Sequence, residues 1–97
     1  MSDKTFKITS VSEESRWIFL CYDEWDVEES DSFIELLKLV RADLKGDLKD
    51  LGMNRYTFNN DPLKLIYQWD SIFGIVVEYQ DNKNAALDYL NRIISIP

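Results

Sequence analysis

Between residues 54 and 79 three apolar runs, NRYTF (54–58), LKLIYQW (63–69) and IFGIVVEY (72–79), are separated only by NNDP (59–62) and by Asp70-Ser71. Successive parallel strands need a crossover of about a dozen residues or more, usually a helix. Connections of four and two residues cannot hold one. If these runs are strands, they are antiparallel neighbours. Their residue types favour strands: β-branched and aromatic side chains dominate, and Leu63, Leu65, Tyr67 and Trp69 alternate onto one face. NNDP is a strong turn signal, and Gly74 marks a bulge or a close packing contact.

The N-terminal segment reads the same way. In TFKITSV (5–11), Phe6 and Ile8 alternate with Lys7 and Thr9, as in a half-buried strand. RWIFLCY (16–22) is apolar on both parities, the pattern of a central strand. The polar SEES between them makes a hairpin. Ser32 and Glu35 then have capping-box spacing ahead of an apolar run. Phe33, Leu36, Leu37, Val40, Leu44, Leu48 and Leu51 recur at three- and four-residue steps, predicting one amphipathic helix that stops at Gly52. Gly46 lies inside it, at about 1 kcal/mol relative to Ala, and offers a place to split near Lys45. A last helix is predicted over 83–94, capped by Asp81 or Asn82, with Ala86, Leu90, Ile93 and Ile94 inward. The expected fold is one α+β domain over residues 1–97. Its order is β-β-α-β-β-β-α, with an antiparallel four- to five-stranded sheet and two helices packed on one face.

Residue types narrow the chemistry. The chain has no histidine and one cysteine, Cys21. Ser-His and Cys-His nucleophilic pairs, histidine acid–base catalysis and thiolate metal clusters are therefore excluded. Cys21 sits in an apolar run and reads as a small buried hydrophobe. A lone cysteine favours a reducing compartment. MSDKTFK lacks the apolar core of a signal peptide. The longest apolar run, six residues at 17–22, is far short of a membrane span. The expectation is a cytoplasmic protein that does not enter a membrane.

Charge supplies the functional clue. The net charge is −7. Residues 13–35 hold nine acids against Arg16 alone, a local −8, while the rest of the chain balances to +1. The densest part is CYDEWDVEESDS (21–32), where Asp23, Glu24, Asp26, Glu28, Glu29 and Asp31 fall within nine positions around Trp25. A helix dipole favours acids only within its first turn, which covers Asp31, Glu35 and Glu29 but not Asp23, Glu24 or Asp26. An EF-hand loop requires glycine at its sixth position; counted from Asp26 that position is Asp31, and no glycine occurs between 21 and 45. A metal-dependent nuclease would need a basic surface for its substrate, and a glycosidase a deep cleft that raises one carboxyl pKa. A simple solvated loop is the competing reading. Against it, like charges about 4 Å apart repel by ~1 kcal/mol even in water. Trp25 shares strand parity with Trp17, Phe19 and Cys21, which suggests packing at the core edge. Left exposed among acids, it would be an interface anchor.

Acidity argues against nucleic acid and anionic membrane as ligands and for a cationic protein partner. In size, acidity and α+β pattern the chain resembles the small acidic immunity proteins of bacterial toxin–immunity systems, including contact-dependent inhibition. That resemblance implies a non-catalytic inhibitor of a basic toxin such as a nuclease, with no cofactor and no metal. The expected contact residues are Tyr22, Asp23, Glu24, Trp25, Asp26, Glu28, Glu29 and Asp31. A DNA-mimicking inhibitor or a small adaptor is the alternative reading, and a metal-dependent enzyme the third.

Overall fold

Among the described residues eight elements follow along the chain: β1 (Phe6–Ser12), β2 (Trp17–Tyr22), α1 (Glu29–Leu44), β3 (Leu48–Gly52), β4 (Arg55–Phe58), β5 (Ile66–Asp70), β6 (Gly74–Glu78) and α2 (Lys83–Ile94). The computed structural model describes residues 6–22, 29–70 and 72–94, without the side chains of residue 22 and residues 29–32. The strands form one open sheet in the order β1-β2-β6-β5-β4-β3, and every pairing is antiparallel. The short connections dictate this arrangement. β3 to β6 run as a meander, β1 and β2 as a hairpin, and the two units join where β2 pairs with β6.

The sheet has six strands where four to five were expected, because α1 ends early. The leucine spacing extended the helix to Leu51, yet the last helical amide bond runs from Lys45 N–H to the Arg41 carbonyl. Lys45 then turns left-handed, with φ 54°. Asn60 donates its side-chain amide to the Leu44 carbonyl, satisfying a helix-end acceptor. Gly46 leaves room for it: a Cβ there would lie 1.7 Å from Asn60 Oδ1, so the Asn60 side chain would have to shift. Leu48 and Leu51 therefore belong to β3, an edge strand, and are exposed. At its other end α1 begins at Glu29, three residues before the Ser32 cap read from the sequence. Glu29 and Asp31 thus sit in the first turn, where the dipole favours them. The last helix occupies the predicted span, and Asn82 caps it by accepting the Ala85 N–H at 2.9 Å.

One core unites both helices with one face of the sheet. Phe33, Leu36 and Val40 of α1 and Ala86, Leu90 and Ile93 of α2 cluster with Ile18, Leu20, Tyr67, Ile75 and Val77. The pairings Ile18↔Val77 and Tyr67↔Val77 place these strand residues side by side. A register shift between Ile8 and Ser10 turns Val11 onto the same face as Phe6 and Ile8. The other parity of β2, carrying Trp17, Phe19 and Cys21, faces away from the helices. Cys21 is exposed, not buried, because strand alternation sends it to the face that neither helix covers. The expectation that Trp25 packs at the core edge falls on a residue outside those described.

Candidate partner-binding surface

Strand registers bring three chain segments to one end of the sheet. β4 opens at Arg55 opposite Gln68, and Trp69 N–H donates to the Asn54 carbonyl, so the β3–β4 turn adjoins the end of β5. β5 ends at Asp70 opposite Gly74, which places the β5–β6 turn beside it. Leu20 lies opposite Ile75, so β2 ends there too, at Tyr22. The N-terminal turns of α1 approach the same region, with the Phe33 ring 5.9 Å from that of Tyr56.

This end displays large apolar side chains. Met53, at the tip of the β3–β4 hairpin, is 91% exposed, Ile72 82%, Phe73 53% and Ile34 49%. Each has a local cause. Gly52 pairs with Arg55, leaving Met53 and Asn54 as a two-residue loop with φ 54° and 61°, the double left-handed form that hairpin twist favours. At the β5–β6 turn, Asp70 Oδ1 accepts the Ile72 N–H at 2.7 Å and the Phe73 N–H at 3.0 Å. That carboxylate fixes the backbone and turns Ile72 outward. The Phe73 ring folds back over the uncovered sheet face, 6.0 Å from Trp17 and 5.9 Å from Phe19. Trp17 and Phe19 meet edge-on at 6.0 Å. Val76, cross-strand partner of Phe19, is fully buried on this face. At the far side of the patch, Trp17 Nε1 donates to Glu78 Oε1 at 3.4 Å, and Arg55 pairs with the same oxygen at 3.7 Å.

Asp23, Glu24, Trp25, Asp26 and Glu28 lie outside the described residues. Their neighbours are placed: Tyr22 closes β2 opposite Phe6, and Glu29 and Asp31 stand in the first turn of α1. The densest stretch of negative charge is therefore tethered at Tyr22 to the end of the sheet that displays Met53, Ile72 and Phe73. The sequence pattern singles out none of these apolar residues. The run 72–79 predicts Ile72 and Phe73 in a strand, whereas β6 begins at Gly74 and both stand in the turn before it. The available signal was two large apolar residues caught between the turn pair Asp70-Ser71 and Gly74, and a methionine following Gly52 at another turn.

Perturbed titratable groups lie elsewhere and have structural explanations. Hydrogen bonding to Arg92, at 3.0 and 3.2 Å, holds the Asp43 carboxyl below its ordinary pKa. Lys83 does the same for Glu13, and Glu13 raises the Lys83 ammonium in return. Burial pushes the Tyr67 and Tyr89 hydroxyls up. Among the described residues, no three Asp, Glu or Cys side chains converge as metal ligands would. Among those residues, too, no helix is long and apolar enough to cross a membrane.

Comparison with known proteins finds no family model, no curated protein and no solved structure that matches the chain.

Proposed function

We propose that this protein is a non-catalytic inhibitor, an immunity protein that neutralises a basic toxin domain by occluding its cationic surface. The observation that supports the reading is a coincidence of place. The segment holding the charge excess is joined at Tyr22 to the sheet end where Met53, Ile72 and Phe73 are exposed. Stable interfaces combine a desolvated apolar centre with a charged rim, and this end supplies the materials for both. Asp23, Glu24, Asp26, Glu28, Glu29 and Asp31 would meet the lysines and arginines with which a nuclease holds nucleic acid. Tyr22 and Trp25 would add aromatic anchors. Action in the reducing bacterial cytoplasm suits a chain with a single cysteine, which is exposed.

The cognate toxin is expected from the neighbouring gene, and its binding tests the apolar half of the surface. Ile72→Ser removes an exposed side chain that holds no part of the core. It should leave folding intact and speed dissociation of the complex by about tenfold, because interface truncations act mainly on the off-rate. An unchanged off-rate would remove this sheet end from the interface. Equal binding to several unrelated DNA-binding proteins would instead favour a DNA mimic.

A further inference from the structure

A groove runs between α1 and the β3–β5 half of the sheet, with a volume of 440 Å³. That is the size of a small-molecule site. Its aromatic lining is Phe33, Tyr56, Phe58 and Trp69, from two layers of the fold. Among the described residues its charged lining is Lys38 and Arg41, one turn apart on α1, and no described acid lines it. In a chain of net charge −7, a groove whose described charges are all cationic departs from the rest of the molecule. Lys38 pairs with Glu35 at 3.6 Å, but Lys38 is largely exposed, and such pairs hold weakly. Arg41 forms no ion pair among the described residues. Trp69 borders the groove, and its indole N–H, buried with no acceptor among the described residues, serves as a reporter of what enters it.

We propose that this groove binds a small amphipathic anion, an aryl or alkyl carboxylate. Its apolar body lies along the aromatic lining and its head group is held by Lys38 and Arg41. A guanidinium fork matches a carboxylate in a two-point hydrogen bond, and the aromatic lining gains from excluding water. A cationic amphiphile would be repelled by both bases, and a neutral one would leave them unpaired. The site uses neither the acidic segment nor Ile72, so it stands or falls separately from the inhibitor reading.

Decanoate, decanol and decyltrimethylammonium, titrated below their micelle-forming concentrations, separate the alternatives. The readout is the indole N–H resonance of Trp69, assigned by its loss in Trp69→Phe. Decanoate should shift that resonance saturably and bind about tenfold or more tighter than the other two, as a charge-assisted pair implies. The double variant Lys38→Gln/Arg41→Gln changes exposed side chains only, so it should fold normally. It should cut decanoate affinity by about tenfold while leaving that of decanol unchanged. Absence of a saturable shift, equal affinity for all three amphiphiles, or a double variant that binds decanoate undiminished would each overturn the proposal.

Discussion

Asp61 is the one acid buried among the described residues, at 5% exposure, and both its oxygens are engaged. Oδ1 accepts the Leu63 N–H at 2.9 Å and Oδ2 the Leu65 N–H at 3.0 Å. The carboxylate thereby closes the NNDP turn and sets Leu65 into the core. Asp61→Ala leaves both amides unpaired, and a hydrogen bond to a charged group contributes about 1.5–3 kcal/mol. Urea unfolding should show a loss of about that size; a loss within measurement error would mean the turn holds without its carboxylate. Met53 shows the opposite economy. A non-glycine residue in the left-handed region carries about 1–2 kcal/mol of strain, and Met53 is exposed there with no packing in return. A strained apolar tip of this kind suits contact with a partner more than it suits folding.

At the scale of elements, the end of α1 is decided by one contact. In Gly46→Ala the new methyl must displace the Asn60 side chain and break its bond to the Leu44 carbonyl. The expected cost is about 1 kcal/mol. Once Asn60→Ala has removed the obstacle, Gly46→Ala should cost nothing, a coupling that a double-mutant cycle on thermal unfolding would measure. The two helices are tied by Arg92 and Asp43. Because Asp43 has a depressed pKa in the folded state, the tie adds stability above the ordinary carboxylate range and loses it as pH falls through the folded pKa. Arg92→Gln should therefore be less stable than the parent at pH 7, and the gap should narrow as Asp43 is protonated to what the contact of Arg92 with the Tyr89 ring, 5.2 Å away, contributes; a gap that does not change with pH would locate the effect elsewhere. The same elements show what local patterns could reveal. The strand runs at 54–79, the first hairpin and α2 were legible because period and turn chemistry act within a few residues. β3 was not, because Leu48 and Leu51 continue a helical stripe and only Asn60, distant in sequence, stops the helix at Leu44. The exposure of Cys21 was hidden for a similar reason: an apolar strand does not tell which face the helices cover.

At the scale of the whole molecule, polarity of charge matches polarity of shape. Both helices cover one face of the sheet, the opposite face carries the Trp17, Phe19 and Phe73 cluster, and one end gathers the exposed apolar turns. The acidic segment is joined to that end through Tyr22. The run of acids is visible in the sequence from charge alone, but the exposed apolar turns depend on which segments the registers bring together. Long-range attraction of a basic partner would raise the association rate, most strongly at low salt. The central claim is tested most directly by the association rate constant with the cognate toxin, measured against salt for the parent and for Asp23→Asn/Glu24→Gln/Asp26→Asn. The triple variant should keep its fold, associate about tenfold or more slowly at low salt, and show a flatter salt dependence. A rate and a salt dependence both equal to the parent's would contradict the claim that this acidic surface recruits the partner.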